Sequence, residues 1–177
     1  MTILVTAATK HGSTAEIAEA IGRALEAAGH AVTVETVDRV TSLEPFEAVI
    51  LGSGVYIGHW LGPARAFARA HAEDLRARPT WLFSSGPIGA PPLPKAEDAV
   101  DVDELMQQTG AREHRLFGGR VDRHRLGFAE RAVLLAVRAQ DGDYRDWDDI
   151  SAWARGIAAE LVRERQPAAA QSASPAA

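Results

Sequence analysis

Short apolar runs alternate with helical repeats along most of this chain. Thr2–Ala7 (TILVTA) has the length and branched character of a buried strand. Over Ser13–Ala28, Ile17, Ile21 and Leu25 recur at helical spacing with alanines between them. Ser13 with Glu16 three residues on matches a capping box, and Gly29 is a natural stop. Ala31–Val37 alternates Val32 and Val34 with polar residues as a second strand, and Ala48–Leu51 (AVIL) is continuously apolar, as in a strand covered on both faces. Pro63–Arg76 reads as a helix with Phe67, Ala70, His71 and Leu75 on one stripe, and Thr80–Ser84 as the fourth strand. A proline-rich loop, Ala90–Pro94, leads to an acidic helix over Ala96–Thr109, stopped at Gly110. His114–Val121 (HRLFGGRV) is the fifth strand, and Leu126–Ala139 and Trp147–Arg165 are two closing helices. The last of these places Ile150, Trp153, Ile157 and Leu161 on one face.

Strands alternating with helices predict right-handed crossovers and an α/β fold, a doubly wound five-stranded parallel sheet with helices on both faces. A Gly-x-Gly-x-x-Gly after the first strand is absent. The expected strand order is therefore 2-1-3-4-5, with a ligand crevice beyond the C-terminal ends of strands one and three. One domain over residues 1–165 accounts for the whole pattern. The uncharged, aperiodic tail at 166–177 is expected to be disordered.

Composition narrows the function classes. A chain of 177 residues suits a single core. The absence of cysteine excludes disulfides, thiolate chemistry and cysteine-ligated metals. No stretch approaches the roughly 20 apolar residues of a membrane span, and the N-terminus lacks the form of a signal peptide. The expectation is a soluble, cytoplasmic protein with no transmembrane segment. Nineteen basic against 24 acidic residues give a net charge of −5, which argues against a nucleic-acid partner. No His, Asp or Glu run has metal-ligand spacing, so no metal site is expected.

Candidate chemistry gathers in three loops at the same sheet edge. After strand one, Thr9, Lys10, His11, Gly12, Ser13 and Thr14 run directly into a helix N-terminus. Hydroxyls, a glycine and the helix dipole there favour an anion, although Ser and Thr are also ordinary helix caps. The Walker order is missing, so a mononucleotide phosphate suits the loop better than a triphosphate with magnesium. After strand three come Gly52–Gly58, His59 and Trp60; Tyr56 and Trp60 can stack on a flat ring, or Trp60 can pack under the next helix. After strand four, Ser84–Gly89 is a third loop of small residues, which Gly86-Pro87 alone also explains as a turn. Ser53 and Ser85 lie outside any Gly-x-Ser-x-Gly elbow. His71 reads as helix packing, His124 as surface, and His59 as a loop residue close to the site.

These three loops resemble the flavodoxin-like family. The stretch Val49-Ile-Leu-Gly-Ser-Gly-Val-Tyr-Ile-Gly-His59 is similar to the third-strand segment of its menaquinone-dependent protoporphyrinogen oxidase branch. Ala66–His71, Phe117–Val121 and Asp146-Trp147 with the final helix are similar as well. The resemblance implies that FMN is the cofactor, with its phosphate held by Thr9, Lys10, His11, Gly12, Ser13 and Thr14. Gly54, Val55, Tyr56, Ile57 and Gly58 would then flank one side of the isoalloxazine, and Ser85, Gly86, Pro87, Ile88 and Gly89 the other.

The function implied is an FMN-dependent oxidoreductase that passes electrons from a protoporphyrinogen-type substrate to a quinone, with peripheral membrane contact. A one-electron carrier between partner proteins is the alternative, and a flavin-free interaction module a second one. Local charge bears on the choice. The segment Ala139–Asp149 carries five aspartates where the oxidase branch is basic, and would repel anionic lipid or propionates. Arg112, Arg115, Arg120, Arg123, Arg125 and Arg131 offer a cationic patch, unless acidic segments neutralise them.

Overall fold

A computed structural model of the chain describes residues 1–56, 58–86, 100, 102–121 and 142–165. Its elements are β1 (Thr2–Ala8), α1 (Ser13–Ala27), β2 (Ala31–Thr36), β3 (Ala48–Tyr56), β4 (His59–Trp60), α2 (Gly62–Ala70), α3 (Ala72–Arg76) and β5 (Thr80–Ser85). They continue with α4 (Asp103–Thr109), β6 (His114–Phe117), β7 (Arg120–Val121), β8 (Gly142–Asp143) and α5 (Trp147–Arg165). Strands β2-β1-β3-β5-β6 lie side by side and all pair in parallel, which is the doubly wound order expected. The short β4 folds back antiparallel on β3 and adds a sixth strand to the sheet.

Alternation along the central strands sorts the core into two layers. Ile3, Val5, Ala7, Ala48, Ile50, Trp81 and Phe83 face α1 and α5, where Ile17, Ile21, Leu25, Ile150, Trp153, Ile157 and Leu161 close over them. Leu4, Val49, Leu51 and Leu82 face the other way, against Ala64, Phe67, Ala68, Leu75 and Leu105 of α2–α4. Both faces of the sheet are covered, which is why AVIL shows no polar alternation.

Several expected boundaries move, each for a local reason. The third strand runs past Leu51 to Tyr56, so Gly52 and Gly54 are strand residues rather than loop residues. Gly52 is demanded by packing: a Cβ there would lie 2.1 Å from Phe83 Cζ. That ring belongs to an aromatic group with Phe117 and Trp153, at centroid distances of 6.2 and 6.4 Å. The helix expected over Pro63–Arg76 breaks at His71 (φ −110°, ψ 21°), which packs on Phe67 with ring centroids 4.5 Å apart. Helix α4 is described from Asp103 to Thr109; residues 96–99 and 101 of the expected helix lie outside the described residues, and Val100 and Val102 are buried. The fifth strand stops at Phe117; after Gly118-Gly119 the chain turns into β7, which pairs antiparallel with β8. The loop at Ala90–Pro94, the helix at Leu126–Ala139, His124 and the tail at 166–177 lie outside the described residues.

Two glycines separate close packing from mere flexibility. Gly52→Ala is expected to cost about 1–3 kcal/mol by driving a methyl into Phe83. Gly156→Ala, in α5 with nothing within 4 Å of the new Cβ, should instead stabilise by about 0.5–1 kcal/mol. Urea midpoints of the two variants against the parent protein check both signs.

Candidate functional site

Register brings the three loops together. Ala8 at the end of β1 lies opposite Ser53 of β3, and Gly54 opposite Ser85 of β5. β1 and β5 therefore end within one residue of each other along β3, which runs on to Tyr56, and the chain leaving each strand emerges at the same edge.

At the first loop, Gly12 takes φ 89°, a conformation side chains resist, and caps α1. Its amide donates to Thr9 Oγ1 at 3.0 Å, which folds the loop tightly over the helix end. The capping box expected from Ser13 and Glu16 does not form: the cap is Gly12, and Glu16 turns away to arginines. Ser13 Oγ is left buried without a hydrogen-bond partner among the described residues. An unmatched buried hydroxyl costs free energy unless a guest satisfies it. The amides of Ser13, Thr14 and Ala15 belong to the first turn and have no intrahelical acceptor. Hydroxyl, amides and dipole together make this helix end a fit for an anionic oxygen group.

The second loop begins in strand. Gly54 has no side chain where a Cβ would come within 3.2 Å of Thr14 Oγ1, so β3 passes close against the first loop. Val55 pairs with Trp60 and Tyr56 with His59 in the β3–β4 hairpin. Tyr56 is 41% exposed, and Lys10 Nζ lies 5.3 Å from its ring centroid, joining the first two loops by a cation–π contact. Trp60, by contrast, is 2% exposed and cannot cover a ligand. Its indole points inward and donates to Ser84 Oγ at 2.7 Å. Ser53 is structural too: its hydroxyl donates to Gly54 O and accepts from the Leu61 amide, fastening the end of β3 to the start of α2.

In the third loop Ser85 is buried, and the Gly86 amide donates to Phe117 O at 3.0 Å. Ile57, Pro87, Ile88 and Gly89 lie outside the described residues.

Two features escaped the sequence reading. Trp60 Nε1, Ser84 Oγ and His114 Nε2 form a chain, with Ser84 2.8 Å from the imidazole. Burial pushes the His114 pKa down to about 4, so the ring is neutral and its bare nitrogen can accept the Ser84 proton. The second is Arg145, buried beside α1 amid an aspartate-rich segment; a lone arginine in such a run was the available signal. The described arginines of the cationic stretch are paired with acidic side chains, the neutralising alternative of the sequence reading. Arg112 binds Glu160 (2.6 Å) and Glu164, Arg115 binds Asp149 (2.7 Å), and Arg120 binds Glu16 (3.1 Å). The acidic segment is likewise partly spent: Asp143 pairs with Arg145, and Asp146 Oδ1 caps α5 by accepting from the amides of Asp148 and Asp149. Arg123, Arg125 and Arg131 lie outside the described residues.

Strand ends at one edge, a tight loop into a helix N-terminus and an exposed aromatic across the crevice place the protein in the doubly wound α/β class, with its ligand crevice at the C-terminal strand edge. A family profile described as a flavodoxin domain matches residues 4–148, and the chain belongs to that family. Protoporphyrinogen IX dehydrogenase (quinone) of Escherichia coli strain K12 is 22% identical over 172 residues, covering 89% of this chain and 95% of that one. Among solved structures, an archaeal flavodoxin superposes with a TM-score of 0.59 at 20% identity, covering 92% of this chain and 99% of its own. A flavodoxin from Pseudomonas aeruginosa gives 0.59 at 17% identity over the same shares. No helix among the described residues is long and apolar enough to cross a membrane.

The buried imidazole predicts a pH effect with a definite sign. The unfolded chain takes up the His114 proton near pH 6.5, the native protein only near 4, so stability falls as pH drops through that window. The slope from this residue is at most about 1.4 kcal/mol per pH unit, reduced by its partial exposure. Urea midpoints of parent and His114→Gln should diverge between pH 6.5 and 4; parallel profiles would show that the ring titrates normally.

Proposed function

We propose that the chain binds FMN without a covalent bond and works as an oxidoreductase. The observation that carries this is the unpartnered, buried Ser13 Oγ at the N-terminus of α1, inside a family of flavodoxin domains. Gly12 closes the loop, and Ser13 with the first-turn amides would hold the phosphate, assisted by Thr9, Lys10, His11 and Thr14. Tyr56, with Gly54, Val55, Ile57 and Gly58, would flank one side of the isoalloxazine. Ser85, Gly86, Pro87, Ile88 and Gly89 would flank the other. FMN supplies electron or hydride acceptance at its ring; the chain binds and orients it and limits water.

Likeness to the Escherichia coli dehydrogenase across nearly the full length of both chains supports a protoporphyrinogen-type substrate and a quinone acceptor, with contact at a membrane surface. The near-complete coverage of free-standing flavodoxins supports a second reading, an electron carrier between partner proteins. Pairing of the described arginines bears on both, since neither a propionate nor an acidic partner finds an uncompensated guanidinium at Arg112, Arg115 or Arg120.

Purified protein mixed with FMN and freed of excess should retain a flavin absorption spectrum. Gly12→Val should weaken FMN binding about tenfold or more, since φ 89° is closed to a branched side chain. Unchanged affinity in that variant would place the phosphate elsewhere. Turnover of protoporphyrinogen with a menaquinone analogue, lost in Tyr56→Ala, is the expected signature of the enzyme. A flavin-loaded protein that a ferredoxin reductase reduces, with no turnover of small molecules, is the signature of the carrier.

A further inference from the structure

The aspartate-rich segment ahead of α5 contains one arginine, and its side chain is 2% exposed. Arginine is seldom buried unless paired. Arg145 grips Asp143 with two parallel bonds, Nε to Oδ1 at 2.7 Å and Nη2 to Oδ2 at 2.5 Å. Its remaining nitrogen, Nη1, reaches across to α1, donating to Glu16 Oε2 at 2.6 Å and lying 3.5 Å from Ser13 O. The Trp147 ring covers the guanidinium, with its centroid 4.4 Å away. Arg120 of β7 binds the other Glu16 oxygen at 3.1 Å. This approach depends on Gly118, where any Cβ would sit 2.0 Å from Tyr144 O.

The four charges sum to zero, and their placement matters for the phosphate loop. Glu16 lies in the first turn of α1, where its carboxylate would compete with an incoming anion for the helix field and repel it. Two guanidiniums cancel that charge, and one of them also touches the carbonyl of the residue with the unpartnered hydroxyl.

We propose that Arg145 is a positioning residue for the phosphate end of the cofactor site: it neutralises Glu16 and steadies Ser13, so that the loop accepts a phosphate dianion. This rests on the FMN reading.

Titrations of FMN and riboflavin, read by flavin fluorescence, test it on the full chain carrying R145Q, E16Q, or both. Riboflavin has the same ring and no phosphate. The parent protein should prefer FMN, and R145Q should lose about tenfold in FMN affinity with riboflavin unchanged, the effect of one uncompensated charge. E16Q should tighten FMN a few-fold, and the double variant should recover most of the loss. An unchanged FMN-to-riboflavin ratio in R145Q, or equal weakening of both ligands, overturns the proposal while leaving the FMN site standing. A parent protein that binds neither flavin removes the FMN reading and this inference with it. If R145Q does not fold, E16Q carries the test: FMN tightened with riboflavin unchanged supports the proposal, and an unchanged FMN-to-riboflavin ratio overturns it.

Discussion

The hydrogen-bonded register of three parallel strands is the constraint on which the rest of the molecule depends. Ala8 beside Ser53, and Gly54 beside Ser85, bring chemically ordinary loops to one edge. A slip of one residue would turn every side chain of the slipped strand to the opposite layer. Ile3 and Val5 would then face α2, and Leu4 would face α1. Two separate cores therefore hold the register, and the register makes a crevice from loops that are individually ambiguous. Gly52 contributes to the same end, because only a bare backbone lets Phe83 lie flat across β3 and knit that strand to the aromatic group above it.

Much of this was legible in the chain itself. Period-two and period-3.6 patterns located the five parallel strands and, among the described residues, helices α1, α2 and α5, and the absent Gly-x-Gly-x-x-Gly chose between the two doubly wound orders. What failed were boundaries where tertiary contacts outrank local signals. Ser13 and Glu16 have the spacing of a capping box, yet Glu16 gains more from two guanidiniums than from a backbone amide. Gly52 and Gly54 read as loop but extend a strand, since glycine signals close approach as readily as a turn. Trp60, open in sequence to stacking or to packing, packs, because its N–H found an acceptor inside. Tyr56, one hairpin rung away from His59, kept its exposure.

Charge was the least legible property. The sequence separates an arginine-rich stretch from an aspartate-rich one, which leaves opposed patches and mutual neutralisation both open without naming a single pair. In the fold Arg115 of the first meets Asp149 of the second, and Arg120 and Arg145, one from each stretch, converge on the distant Glu16. Composition counts charges without their partners, and partners more than twenty residues apart are invisible to any window along the chain. The same blindness hid His114, whose neutral state comes from burial and not from a neighbour in sequence.

The ion pair between Glu16 and Arg145 spans 129 residues. The loop after β1 is thus completed by a side chain from the far side of the sheet in sequence, beyond β6 and β7. During translation β1 and α1 can form early from local contacts, but Glu16 meets its first guanidinium only when Arg120 has emerged and its second only with Arg145. An early-made helix terminus is thus among the last parts of the fold to be finished electrostatically, once β7 and the segment before α5 have docked on it.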